Sequence, residues 1–163
     1  MSTTPQPKPG VAQAIQAERL TFPGLIPQEV VIFSAWWAIH KDEYTAADFN
    51  VRVGSGFDPG PAFDPGVRKA QIFNSQRRLD ALLTQGSALT IAEVKYRATP
   101  LAVGQLLTYR ALYAKDHHQG ANAKLLLIYF QIDQDTVYCA QQLGVELAQQ
   151  PADFTGIKIT KQG

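Results

Sequence analysis

One stretch limits what this chain can become. Residues 88–98 (ALTIAEVKYRA) read as a β-strand, and a strand sends successive side chains to opposite faces, so Leu89, Ile91, Glu93 and Lys95 share a face. That face is apolar for its first half and then presents a carboxylate and an ammonium. A strand with one solvated face would alternate throughout, and one buried on both faces would stay apolar to its end. This strand does neither.

The preceding strand (QRRLDALL, residues 76–83) brings a second acid to the same face. A turn over residues 84–87 would pair Leu83 with Ala88 and set Asp80 diagonal to Glu93. A turn over residues 85–88 would set Asp80 directly opposite Glu93. Both registers keep Asp80, Glu93 and Lys95 on one face, within roughly 5 to 8 Å at the Cβ atoms. Two carboxylates that close repel unless a cation neutralises them, and Mg²⁺ accepts one or two carboxylates while keeping several waters. A neighbouring Lys can orient or help deprotonate a metal-bound water, or meet charge building on a phosphate. The set therefore suits metal-assisted phosphodiester hydrolysis.

A helix follows, opening at Thr99-Pro100 with an N-cap hydroxyl and Pro in first position and running to about Lys115. It is apolar around most of its girth, so it packs on the sheet. Gln105 and Tyr109 stand at i and i+4, on one helix face, and a buried Gln105 amide needs a partner because an unmade hydrogen bond costs roughly 1 to 3 kcal/mol.

Asp80 with Glu93-Val94-Lys95, followed by Gln105-Leu-Leu-Thr-Tyr109, resembles the PD-(D/E)xK nuclease superfamily and its RecB-like branch, which carries a Gln-x-x-x-Tyr motif. The residue before Asp80 is Leu79, where the family pattern has Pro. The resemblance implies a restriction-endonuclease-like α/β sandwich of three layers. It implies Mg²⁺ or Mn²⁺ held by Asp80, Glu93 and the backbone carbonyl of Val94, with Lys95 orienting the attacking water. Gln105 and Tyr109 would fix Lys95 or the DNA backbone, and Glu29 on the first core helix would support the metal. A carboxylate in a helix's first turn also simply suits the helix dipole, which is the other reading of Glu29.

The flanks add order but little chemistry. Residues 1–10 (MSTTPQPKPG) read as a Pro-rich arm, either a plain tail or an anchor onto a partner or a second copy, and residues 11–163 as a single domain. A short helix is expected over 11–20 and a largely buried one over 28–42, in which Trp36 and Trp37 are core rather than base-stacking groups. Residues 49–54 (FNVRVG) read as the first strand, with Phe49, Val51 and Val53 inward and Asn50 and Arg52 outward. The tandem Phe57-Asp-Pro-Gly60 and Phe63-Asp-Pro-Gly66 imply two successive turns, with Asp58 and Asp64 as caps rather than metal ligands. No Gly-Lys-Ser/Thr follows to make a phosphate cradle.

Arg68, Lys69, Arg77 and Arg78 form the one basic concentration, either phosphate contacts that position without specifying sequence or a solvated face. Arg97 is a further DNA-contact candidate, or a member of a structural ion-pair network with Asp80, Glu93 and Lys95. Adjacent His117 and His118 point apart and lack a ligand-spaced partner, so they read as a surface turn. Residues 124–132 (KLLLIYFQI) read as a central strand covered on both faces. Residues 136–142 (TVYCAQQ) read as another strand, with Cys139 a small buried hydrophobe. A short closing helix is expected over 143–150, and a further strand over 156–160.

The resulting order is helix, strand, strand, strand, helix, strand, strand: a mixed sheet of about five strands flanked by helices. A chain of 163 residues with 45% hydrophobic content suits one core. A net charge of +1 supplies no strong basic field, so DNA binding would rely on a local patch and metal. One cysteine permits no internal disulfide. Neither a signal-peptide pattern nor an apolar run of the ~20 residues needed to cross a membrane is visible, so the expected location is the cytoplasm, or a virion if the gene is viral. The function expected is a Mg²⁺-dependent deoxyribonuclease in phage or mobile-element DNA processing. The alternative is a nuclease-fold structural or DNA-gripping part of a larger assembly, such as a phage head-tail particle.

Overall fold

The computed structural model describes residues 22–160. The arm over 1–10 and the short helix over 11–20 lie outside the described residues. Helix α1 (Pro27–His40) begins with Pro in its first turn, and the Glu29 side chain accepts a hydrogen bond from the Ile26 N–H at 3.2 Å. A 3₁₀ turn (Lys41–Glu43) leads into β1 (Ala46–Val53), which pairs antiparallel with β2 (Arg77–Gln85). Between them stands a helix the sequence reading missed, α2 (Pro65–Ser75). Its N-cap is Asp64, which accepts from the N–H groups of Gly66 and Val67, so the second Asp-Pro-Gly opens a helix rather than a turn.

Strand β3 (Ala88–Ala98) has the bounds expected of it, and Gln85 pairs with Ala88. Of the two registers open from the sequence, this is the one that sets Asp80 across from Glu93. Helix α3 (Pro100–Asp116) then crosses over to β4 (Lys124–Ile132), which lies parallel to β3. Thr99 is the N-cap of α3, but its hydroxyl makes no capping hydrogen bond.

The next two elements are exchanged relative to expectation. Residues 134–142 form helix α4 (Gln134–Gln142), and Val145–Gln149 is β5, parallel to β4. The reason is topological: neighbouring parallel strands cannot be joined by a tight turn and need a crossover, and α4 is that crossover. Its cap is Asp133, whose carboxylate accepts from the Thr136 N–H and hydroxyl. Cys139 is accordingly a half-buried helix residue, not a strand hydrophobe. Residues 156–160 form no strand.

The sheet order is β1-β2-β3-β4-β5, five strands of mixed direction. One face carries α1, whose Val30, Ile32, Phe33 and Trp36 pack on Leu83, Val94 and Ile128, with Trp37 alongside, so both tryptophans belong to the core. The other face carries α3, whose Val103, Leu106 and Tyr113 pack on Ile91, Leu125 and Leu127. The result is the three-layer α/β sandwich expected. Among the described residues, no helix is long and apolar enough to cross a membrane.

Candidate functional site

The site opens where the sheet comes apart. The β2–β3 ladder ends at Ala81↔Ala92, one residue short of Asp80 and Glu93. On the other side of β2, pairing steps from Phe49↔Ala81 to Val51↔Leu79, leaving Asn50 and Asp80 unlinked. Asn50 has φ +54°, a left-handed conformation that Asn tolerates better than most residues. Leu79 and Ala81 should share a face by strand alternation, yet Leu79 joins the α3-side core and Ala81 the α1-side core. Phe49 and Val51 split the same way, which corrects the expectation that Phe49, Val51 and Val53 point together. Both strands therefore slip by one face at Asn50 and Asp80. In place of a strand partner, the Val94 N–H donates to Asp80 Oδ2 at 2.8 Å.

Around that gap the predicted groups meet. Lys95 Nζ stands 2.8 Å from Glu93 Oε1 and 3.6 Å from Glu29 Oε1. Glu93 is 2% exposed, and its Oε2 has no hydrogen-bond partner among the described residues. Asp80 is half-buried and lines the cleft, and burial followed by the Glu93 charge pushes its pKa up to about 7. Burial also raises Glu93, against the pull of Lys95. Burial opposes the charge on Lys95, but Glu93, Asp80 and Glu29 outweigh it and raise its pKa. Lys95 is thus a fixed ammonium, able to orient or stabilise rather than to take a proton. Three carboxylates face one cation, and the cluster is short of positive charge.

Gln105 Nε2 donates to Tyr109 Oη at 3.2 Å, so the amide is satisfied within the motif. Burial and the charges of Glu93 and Asp80 push the Tyr109 phenol up to about 12, so it remains a donor. These groups line one half-open cavity of about 970 Å³ together with Glu29, Arg78 and Arg97. Arg97 makes no ion pair with the acids, so the proposed network loses that member. The rest of the basic stretch disperses. Arg68 and Lys69 border a separate groove, where Arg68 is bound by Asp58, and Arg77 is exposed outside the cavity. His117 stacks on Tyr113 beyond the site.

The sequence reading missed Gln131, Ile159 and Thr160, which also line the cavity. Gln131 pairs with Arg97 on the parallel β3–β4 ladder, and a site at the carboxyl ends of parallel strands is the general rule for open α/β sheets, a signal that could have found it. Nothing in the sequence marks the 159–160 segment, which is held by a 2.7 Å hydrogen bond from Gln28 Nε2 to the Thr160 carbonyl.

The donor set can be tested against a divalent ion. Among the described residues no group of three or more His, Cys, Asp or Glu forms a metal cage. A buried Glu93 carboxylate with the half-buried Asp80 beside it in an open cavity fits Mg²⁺, which retains several waters, and not a closed zinc site.

No family model matches the sequence, and no curated protein matches it. Among solved structures, the chain is similar to a repair endonuclease from Pyrococcus abyssi, with 17% identity, a TM-score of 0.41, and 47% of this chain and 34% of that chain covered. It is also similar to EndoMS in a complex with double-stranded DNA, with 12% identity, a TM-score of 0.43, and 94% and 51% covered. A third is protein VC1899 from Vibrio cholerae, with 17% identity, a TM-score of 0.46, and 76% and 29% covered. The chain spans about a third to a half of the length of these proteins.

Proposed function

We propose that this protein is a Mg²⁺- or Mn²⁺-dependent deoxyribonuclease of the PD-(D/E)xK type. The observation that supports it best is the half-buried Asp80 beside the buried Glu93, with Lys95 fixed against Glu93 in an open cavity. Asp80, Glu93 and the Val94 carbonyl would hold the divalent ion, with Glu29 behind Lys95. Once bound, the ion supplies neutralisation of the surplus carboxylate charge and Lewis-acid polarisation of a phosphoryl oxygen.

The chain's own residues do the rest. The Lys95 ammonium orients the attacking water and meets charge building on the phosphate. Water oxygen bonds to phosphorus as the P–O bond to the leaving sugar breaks; the proton lost by the water leaves to solvent, and the leaving sugar oxygen takes a proton from solvent to become a hydroxyl. Gln105 and Tyr109 hold the DNA backbone against Lys95. Arg78 and Arg97, each two residues from the acid-Lys set on neighbouring strands, take the flanking phosphates.

The test is cleavage of plasmid and of labelled oligonucleotides with Mg²⁺ or Mn²⁺, with chelator as the blank. Wild type should cut, and Glu93→Ala and Lys95→Ala should each lose about 10²-fold or more. Equal cutting by all three proteins removes the assignment.

A further inference from the structure

The segment after β5, residues 150–160, contains neither helix nor strand, yet it is tied down along its length. The Gln150 N–H donates to the Tyr129 carbonyl at 2.8 Å. The Phe154 ring meets Tyr96 and Phe130 edge-on, with centroids 5.1 and 4.8 Å away, and Ile157 packs on the α1-side core. At the far end Gln28 Nε2 donates to the Thr160 carbonyl at 2.7 Å. This path carries the chain from β5 over β4 and β3 to the first turn of α1. There Ile159 and Thr160 line the same cavity as Glu29, Lys95 and Tyr96.

Gln28 is where the path is fixed to the site. It is fully buried, and it stands one residue before Glu29, whose Oε1 lies 3.6 Å from Lys95 Nζ. Burying an amide costs stability that an apolar side chain would not cost, so the packing of α1 does not account for Gln28. Its bond to Thr160 does. That bond keeps Ile159, 40% exposed, on a cavity that it shares with Ile26 and Leu101 and with the guanidinium groups of Arg78 and Arg97. A nucleotide has the same two characters, a charged phosphate and a base whose flat face is apolar.

We propose that Gln28 is a positioning residue for substrate binding: it holds 159–160 as a wall of the cleft, and Ile159 packs against the sugar and base of the DNA strand. The proposal rests on the reading of this cavity as the DNA-cleavage site. Gln28 itself touches no reacting atom and acts through the segment it grips.

The experiment takes three readings on the full chain. These are affinity for a labelled oligonucleotide by anisotropy with chelator present, steady-state cleavage with Mg²⁺, and the rate of trypsin cleavage after Lys158. Gln28→Met keeps the length of the side chain and removes the donor. It should speed trypsin cleavage several-fold, because proteolysis follows local release of the chain. Gln28→Met and Ile159→Ser should each weaken oligonucleotide binding and raise KM about tenfold, with kcat within about twofold of wild type. The double variant should bind no worse than Gln28→Met alone, since both act through one wall. Ile39→Ser, on the exposed side of α1, should match wild type. Ile159→Ser removes no buried side chain, so it carries the test if Gln28→Met loses its native melt. Unchanged binding in both variants, additive losses, an unchanged trypsin rate, or a fall in kcat at unchanged KM overturns the proposal. Absence of Mg²⁺-dependent cleavage with the binding pattern intact removes the nuclease reading and leaves the wall.

Discussion

Two acid–base clusters in this molecule use the same residue types to opposite ends. Asp58 and Arg68 meet on the surface, joined by two hydrogen bonds, with one acid for one base. The bond to Arg68 holds the Asp58 carboxyl well below its usual range. Asp80, Glu93 and Glu29 meet Lys95 inside the cleft, with three acids for one base, and the pKa of Asp80 and Glu93 is raised. The surface pair is complete and fastens a loop. The buried set is incomplete. A fold that places surplus carboxylate where water is scarce gives up stability there, and an external cation is what would recover it.

The comparison breaks first at Lys95. Lys95→Ala leaves Glu93 and Glu29 without their cation in a buried setting, so stability should fall by about 3 kcal/mol or more at neutral pH. The loss should shrink under acid conditions, where the carboxylates take protons. Chemical denaturation across pH checks both halves, and a pH-independent loss would mean that Lys95 acts only by packing.

Asp80→Asn should do the reverse. The Asp80 pKa is raised to about 7 in the fold, from about 3.9 in an unfolded chain. The folded state therefore binds the extra proton between those values, and its contribution is full below about 4 and lost as pH rises through about 7. Metal-free wild type should lose stability over that window, and Asp80→Asn should flatten the slope. Above it the variant should be more stable by about 1–2 kcal/mol, from roughly 1.4 kcal/mol per pKa unit discounted for the coupling to Glu93. Urea unfolding at a series of pH values decides it, and a variant less stable than wild type above neutral pH would contradict the electrostatic reading.

A smaller effect is expected at Gln105→Ala. It removes the donor to Tyr109, so DNA cleavage should fall about tenfold while the melting temperature barely moves. A large drop in melting temperature at unchanged activity would make the Gln105–Tyr109 contact structural. Smallest of all is Arg68→Ala, which frees an acid that remains in water. Its melting curve should overlay wild type, because exposed ion pairs contribute little. A marked shift would show that the surface pair and the buried set are less different than their geometry says.

What the sequence revealed follows the same division. The hairpin at Asp80 and Glu93 and the helix of Gln105 and Tyr109 were legible because local periodicity and long-range packing agree there. The slip at Asn50 and Asp80 was not, since strand alternation assumes an unbroken ladder. Helix α2 was hidden because Asp-Pro-Gly suits a turn and a helix start alike, and α2 has no buried stripe to betray it. The exchange of α4 and β5 came from reading Thr136, Val137 and Tyr138 as strand formers. The caps say otherwise: Asp133 stands at the start of the helix, and Gly144, at φ +69°, lies just past its end. The tail at Ile159 and Thr160 reaches the cavity only through tertiary packing, which no local pattern encodes.

The most direct measurement is Mn²⁺ binding to the full chain by calorimetry above neutral pH, comparing wild type with Asp80→Asn and Arg68→Ala. Wild type and Arg68→Ala should bind the ion alike and gain melting temperature with it, while Asp80→Asn should lose about tenfold or more in affinity. Binding that is absent from wild type, or undiminished in Asp80→Asn, would contradict a cation site at the Asp80–Glu93 pair.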